Sequence, residues 1–478
     1  MTFFDAASAA VESALASGAR YADARVMRRR RESMSARDGE IEALTTAEDV
    51  GLGVRALVGS GWGFFATQDL DGAAPAAAGS SATAIARASG RVAGPAIDLL
   101  PNEGVVASWQ SPCVLDPLGV ALSTKGDLLV TATATARAAG ADLSTGQYQI
   151  WDTEKWFVSS AGHRIDQRIR ECGGGITATA IGDDETQRRS YPSAFGQYGT
   201  RGWELVEEFH LLDNAARIAE EARALLSAPA CPAGETTLIL GADQMALQIH
   251  ESVGHAIELD RILGWEAAFA GTSWLDLAKL GSLRYGSELM NITIDPTIPG
   301  ALGSFGYDDE GTPAMARAAV RDGRWVGVLA GRDSAAVAGL DYAGSVRSDG
   351  WSGLPMVRMT NVGLEPGPHT LEEIIAATPD GVYLENNRSW SIDDQRLNFQ
   401  FGCEIGYEVK RGKLGRMLRN PTYTGIGPKF WRSMDMLSSE TILVGTPNCG
   451  KGQPIQVGHT GHPSAPARFQ NVRIGVRG

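Results

Sequence analysis

"GADQMALQIHESVGHAIELDRIL" spans residues 241 to 263 and carries the pattern on which the fold turns. Met245, Ile249, Val253 and Ile257 recur every four residues, which is the stripe of a helix with one buried face. The same stretch holds His250, Glu251 and His255. In H-E-x-x-H, two histidines four apart share a helix face and offer both imidazoles to one metal. Here they stand five apart. At about 100° per residue, four residues leave the ligands about 40° apart and five leave about 140°. A π-bulge adds one residue to a helical turn and would restore the common face. Gly254, the weakest helix former present, is where such a distortion costs least. A local 3₁₀ or broken turn could do the same. The competing reading is a pair of structural histidines with no metal.

Upstream of this helix, "TTLILG" reads as a strand, and before it "PACPAGE" (229 to 235) packs prolines and a glycine into one short run. That run is the expected domain boundary, giving 1–228 and 229–478. The first part opens with an amphipathic helix, "MTFFDAASAAVESALASGAR", followed by glycine-punctuated, hairpin-like strands from 21 to 67. Helices are expected at 71 to 90 after Pro75, at 118 to 140 and at 212 to 228. A connector with Pro101, Pro112 and Pro117 lies between the first two, and strands are expected across 153 to 182. From 290 onward strands and turns dominate, with one helix at "TLEEIIAAT" (370 to 378).

With 478 residues, the chain can build two or three cores, and Gly 58 favours turns and strands over a bundle. A net charge of −13 argues against a nucleic-acid surface. The basic run Arg28 to Arg31 is expected to be a solvated strand face. The first residues lack a basic start and a small-residue cleavage site, and no apolar run of membrane-spanning length occurs. The expectation is therefore a cytoplasmic protein with no membrane contact. Five scattered cysteines do not make a disulfide framework.

Two glycine motifs mislead. "GLGVRA" (51 to 56) fits a dinucleotide pattern, but no helix follows, so a hairpin turn is the expectation. "GTPNCGKG" (445 to 452) has P-loop spacing through Lys451. Gly452, however, stands where Ser or Thr must bind magnesium, and "QPIQVG" reads as a strand, so no nucleotide or other organic cofactor is expected.

The glutamate directly after His250 favours a metal, because in helical zinc proteases that residue takes the proton of the attacking water. The residues leave the third ligand open. Glu258 and Asp260 could ligate or could brace the imidazoles. His163 and His210 lie in the other domain, His369 begins a helix, and His459 and His462 flank a glycine turn. Cys403 sits mid-strand, where an inert thiol is the default. Cys449 is expected in a tight turn with Lys451 nearby, a plausible thiolate environment.

Taken together, "GVRALVGSGWGFFATQD", "HESVGHAIELD", "GSFGYDDEGTP", "PMVRMTN", "GYEVKRGK" and "CGKGQPIQVG" resemble the TldD/PmbA family of modulator-of-gyrase-type metallopeptidases over nearly the whole length. The H-E-x-x-x-H element places the resemblance on the TldD branch, since the PmbA branch lacks it. The resemblance implies Zn²⁺ held by His250, His255 and Cys449, with Glu251 as catalytic base. It also implies an α/β N-terminal domain of hairpins and helices, followed by a β-rich, barrel-like C-terminal domain carrying the metal-binding helix. Unfolded or extended peptides are the implied substrates. The implied assembly is a homodimer, or a heterodimer with a PmbA-like paralogue, enclosing the active sites. "CGKGQP" is one residue shorter than the family's usual turn, and Cys403 has no match in it. Two rival functions remain at this level. One is a cysteine hydrolase with Cys449 as nucleophile and His459 or His462 as base; the other is a zinc-stabilised, non-catalytic partner or chaperone subunit.

Overall fold

The computed structural model describes every residue except 93, 95, 97 and 476–478. Its first half is one sheet, running in the order Gly61–Thr67, Glu40–Val58, Tyr21–Arg37, Leu143–Ser159, Arg164–Ile181 and Val106–Gln110. Thr186–Tyr191 and Gln197–Gly199 also pair with Arg164–Ile181. Helices Phe3–Ala16, Ala74–Ser89, Leu122–Ala138 and Leu211–Ser227 cover the sheet. Alanines at one face of each helix let them sit close: Ala6, Ala10 and Ala14 pack with Ala78, Ala82 and Ala86 in one core. The proline-bearing connector holds a strand the sequence does not announce, Val106–Gln110, which pairs parallel to Arg164–Ile181.

The "RRRR" run is not a solvated face. Arg28 pairs with Glu154, Arg30 with Asp152, Arg29 with Asp349 and Arg31 with Asp49, and only Arg31 is exposed. Cross-strand register supplies two of those partners, since Glu154 lies opposite Arg28 and Asp152 opposite Arg30. "GLGVRA" is not a turn either; it lies inside strand Glu40–Val58. A Cβ at Gly51 would stand 2.3 Å from the Trp351 ring, so the glycine lets the second half of the chain dock against this strand.

In the second half, Asp380–Ile392, Gly234–Leu240, Ala467–Ile474, Thr422–Ile426 and Asn398–Lys410 pair in succession, and the last returns to the first. The sheet thus closes into a five-stranded barrel, extended by Lys413–Leu418 and Met434–Leu437. The expected helix appears as Leu371–Ala376, but Arg332–Ala338 and Gly427–Arg432 are helical too. These short pieces fall below the length at which periodicity is legible. Among the described residues no helix is long and apolar enough to cross a membrane.

Buried charges join the halves. Lys155 donates to Asp309 at 2.5 Å, and Arg55 donates to Asp23 at 2.7 Å and to Glu310 at 3.0 Å. Asp308 turns inward, accepting from the backbone of Glu310, Thr312 and Val346. The "DDE" segment is therefore a fastener, with each carboxylate met by partners.

Candidate metal centre

The helix Ala242–Ile249 runs directly into a π turn, His250–Gly254. His255 N donates to the His250 carbonyl at 3.1 Å, the five-residue step that the histidine spacing requires. Met245, Ile249, Val253 and Ile257 are all fully buried and anchor the segment to the core. The widened turn is braced from outside: the Tyr285 hydroxyl donates to the Ser252 carbonyl, and Trp431 Nε1 donates to Ser252 Oγ at 2.9 Å. Gly254 has a steric reason besides helix softness. A Cβ there would stand 2.1 Å from Met359 Sδ.

Cys449 arrives from strand Ile442–Lys451, not from a tight turn; the turn follows it. A register irregularity between Thr446 and Cys449 lets the strand bend toward the helix. Cys449 Sγ lies 3.6 Å from His255 Nε2, and the ligand atoms of His250, His255 and Cys449 all fall within 4.8 Å of one another. All three residues are buried. They open on a cavity of about 270 Å³ that Glu251, Arg396 and Trp390 also line.

Hydrogen bonds fix which nitrogens face the cluster. His462 Nδ1 donates to the Val362 carbonyl at 2.8 Å, so its Nε2 is the acceptor for His250 Nδ1 at 2.9 Å. That leaves the His250 Nε2 lone pair free. His255 Nδ1 lies 2.9 Å from the Glu258 carboxylate, so the His255 Nε2 lone pair faces Cys449. Burial pushes both imidazoles down in pKa, keeping them neutral as a metal requires, and it pushes His462 down to about 3. Burial opposes ionisation of the Cys449 thiol, while the charged form of His255 and then Arg358 bring it below its ordinary range; with His255 neutral, Arg358 is the cation that still favours the thiolate. Lys451 does not serve Cys449. It lies fully buried, donating to Asp260 at 2.8 Å and standing 3.4 Å from Glu258. Burial would raise Glu258, yet Lys451, His255 and Arg261 hold it well below the carboxylate range.

The other sequence candidates lie elsewhere. His163 bonds Ser159, His210 is exposed, His369 stands before a helix, and Cys403 is sealed in the barrel core with its thiol raised by burial. His459 and His462 lie within strand Gln456–Ser464, not beside a turn; His459 meets Glu171 at 3.0 Å. Neither histidine bonds Cys449 among the described residues, and the cysteine's imidazole neighbour is His255. Sequence reasoning missed Arg396, whose Nη1 donates to Glu251 at 2.7 Å. It sits at a hairpin tip with φ 62, and a turn-like "DDQRL" gives no hint of a partner 145 residues away.

Fold and site together define a two-part α/β and barrel chain with a buried His-His-Cys cluster beside a carboxylate, a donor set suited to a borderline-soft divalent ion. Similarity to known proteins agrees. Residues 22–86, 115–227 and 233–475 match domain 1, the central domain and the C-terminal domain of PmbA/TldA metallopeptidases. The chain belongs to the PmbA/TldD metallopeptidase family. A metalloprotease of Methanocaldococcus jannaschii is 27% identical over 92% of this chain and 94% of its own length. A zinc metalloprotease TldD homolog of Saccharolobus solfataricus is 27% identical, covering 48% of this chain and 49% of its own. The crystal structure of TldE from Thermococcus kodakarensis has the same fold, with a TM-score of 0.68 at 16% identity, covering 98% of this chain and all of that one.

Proposed function

We propose that the chain is a zinc-dependent peptidase in which His250, His255 and Cys449 hold the ion and Glu251 is the general base. The observation that carries this reading is the convergence of three deprotonatable ligand atoms within 4.8 Å, each imidazole already braced through its other nitrogen. Zinc, when bound, acidifies water and polarises a carbonyl. Glu251 takes a proton from the attacking water and returns it to the leaving amine. Arg396, donating to Glu251, holds that carboxylate on the cavity side. Burial leaves the cluster open to solvent on the cavity side.

Extended peptides are the proposed substrates. Among the described residues strand Ile442–Lys451 pairs in its sheet with Gln456–Ser464; Gln197 caps its other edge at Leu443 O and Gly445 N, and beyond that cap Thr446 to Cys449 line the cavity. A peptide added along the cavity-facing stretch from Thr446 would gain main-chain hydrogen bonds with little demand on sequence. Phe195 and Trp390, edge to face at 5.9 Å and both exposed, offer an apolar lip for side chains. A second copy or a PmbA-like relative is the proposed partner, a reading that rests on the family, whereas the proposed division at 229 rests on the proline-glycine run "PACPAGE" and the proposed cytoplasmic setting on the sequence. Metal content and cleavage of a denatured protein, measured for the parent and for Cys449→Ser, test the function. Zinc near one per chain in the parent and a marked loss of both signals in the variant are expected. Cleavage that survives chelation but not thiol alkylation would favour a cysteine hydrolase instead.

A further inference from the structure

A second cavity, of about 90 Å³, lies between the first-half sheet and the hairpin that carries Cys449. Four cationic side chains line it, and two are spoken for: Lys155 holds Asp309, and Arg29 holds Asp349. The third lining carboxylate, Glu171, meets His459. Arg347 and Arg358 differ. Among the described residues neither makes an ion pair; their hydrogen bonds go to neutral backbone carbonyls. Arg358 donates to Gln456 O at 3.1 Å and to Cys449 O, and Arg347 donates to His459 O at 2.6 Å and to Met359 O. The Nε of each is buried with no hydrogen-bond partner among the described residues. Arg358 is 2% exposed. Glycine at 458 is what admits its guanidinium, since a Cβ there would stand 2.4 Å from Nη2.

Two guanidiniums that no carboxylate among the described residues touches, beside a small cavity whose nearby carboxylates are engaged elsewhere, gain from an anion that completes them. Burial, and then the neighbouring Arg358, push Arg347 down to about 10. The volume, several times the roughly 10–15 Å³ that a single water needs, suits a group of a few heavy atoms. Planar, forked donors match oxyanions in particular.

We propose that this cavity is an oxyanion-binding site, taking a carboxylate or phosphate group between Arg347 and Arg358. The group could arrive as free phosphate or as the terminal carboxylate of a peptide. Because Arg358 also bonds the Cys449 carbonyl, an occupant would lie one side chain from the candidate metal centre. Arg347, the residue tested below, is neither a proposed ligand nor the proposed base, so its variants test this site separately from the peptidase reading.

Titration calorimetry of the purified full chain tests it, with sodium phosphate and with a short peptide bearing either a free or an amidated C-terminus. Sodium chloride at equal ionic strength is the control. Saturable binding of phosphate would mark free anion as the source; binding of the free-acid peptide but not the amide would mark a chain terminus. In either case Arg347→Gln should weaken the binding by about tenfold or more, and Arg347→Lys by less. Because Arg347→Gln could fail to fold, crystals of the unaltered chain soaked in selenate give a second reading, with anomalous density expected between the two guanidiniums. Binding that Arg347→Gln leaves unchanged, or silent titrations with an empty cavity, would overturn the proposal.

Discussion

Two clusters in this molecule are equally buried and equally rich in ionisable groups, yet they are built to opposite ends. Around Asp308, Asp309 and Glu310 the carboxylates meet donors: Lys155, Arg55, Ser348 and the backbone of Val346 and Arg332. Around His250, His255 and Cys449 the outer nitrogens are satisfied while the inner ligand atoms face one another across a cavity. Burial alone does not mark a functional site. What separates the two is unspent valence, directed inward and held in place from behind.

The sharpest way to break the comparison is to remove a ligand from one cluster and a partner from the other. His250→Ala takes away a ligand atom, so metal content and peptide cleavage should both fall to background. The folded barrel, whose closure does not pass through the site, should persist by circular dichroism. Metal retained at parental occupancy would remove His250 from the ligand set.

Asp309→Asn attacks the fastener. It leaves Lys155 and Arg25 without their counter-charge, and breaking a buried pair from one side costs about 3–5 kcal/mol. Unfolding in denaturant should show that loss, with metal per folded molecule unchanged. Burial alone would raise the Asp309 carboxyl, but Lys155 and Arg25 overcome it and hold the group well below the carboxylate range. Its contribution is therefore fully present above an unfolded-state value of about 4 and is lost as pH falls below that. The variant should lose less stability than the parent over that acid limb. A slope equal to the parent's would mean that Asp309 is not the titrating fastener.

A smaller effect is expected at the seam between support and chemistry. Glu258→Gln keeps the shape behind His255 but removes the charge that orients it. Metal affinity should fall by about 10–100-fold, with little change in the number of sites at saturation. An unchanged affinity would show that the Glu258 carboxylate serves only Lys451 and Arg261.

How far the sequence reached follows the same division. The candidate metal cluster was half legible because His250, Glu251 and His255 share one local stretch, and the five-residue spacing demands an irregular turn, which is present as a π turn. Cys449 stands 194 residues from His255; only the family resemblance selects it among five cysteines. His462 was in view as a histidine, but not as the group that sets the His250 tautomer, and Arg396 gave no sign at all. Long amphipathic helices were readable from their periodicity, whereas Arg332–Ala338 and Gly427–Arg432 were too short to carry one. "RRRR" and "GLGVRA" misled for a common reason. Their meaning lies in what docks against them, Asp349 for Arg29 and Trp351 for Gly51, and no local pattern encodes a partner some 300 residues away.

The central claim is that the buried cluster performs catalysis and does not merely hold structure. Glu251→Gln tests it directly, because the change keeps size and removes only the basic carboxylate. Zinc occupancy and cleavage of a denatured protein should be measured on the same preparation. The account predicts near-parental zinc with cleavage reduced by at least about 10²-fold, the lower end of what a general acid–base group contributes. Full occupancy with full activity would assign the base to another residue and contradict the mechanism.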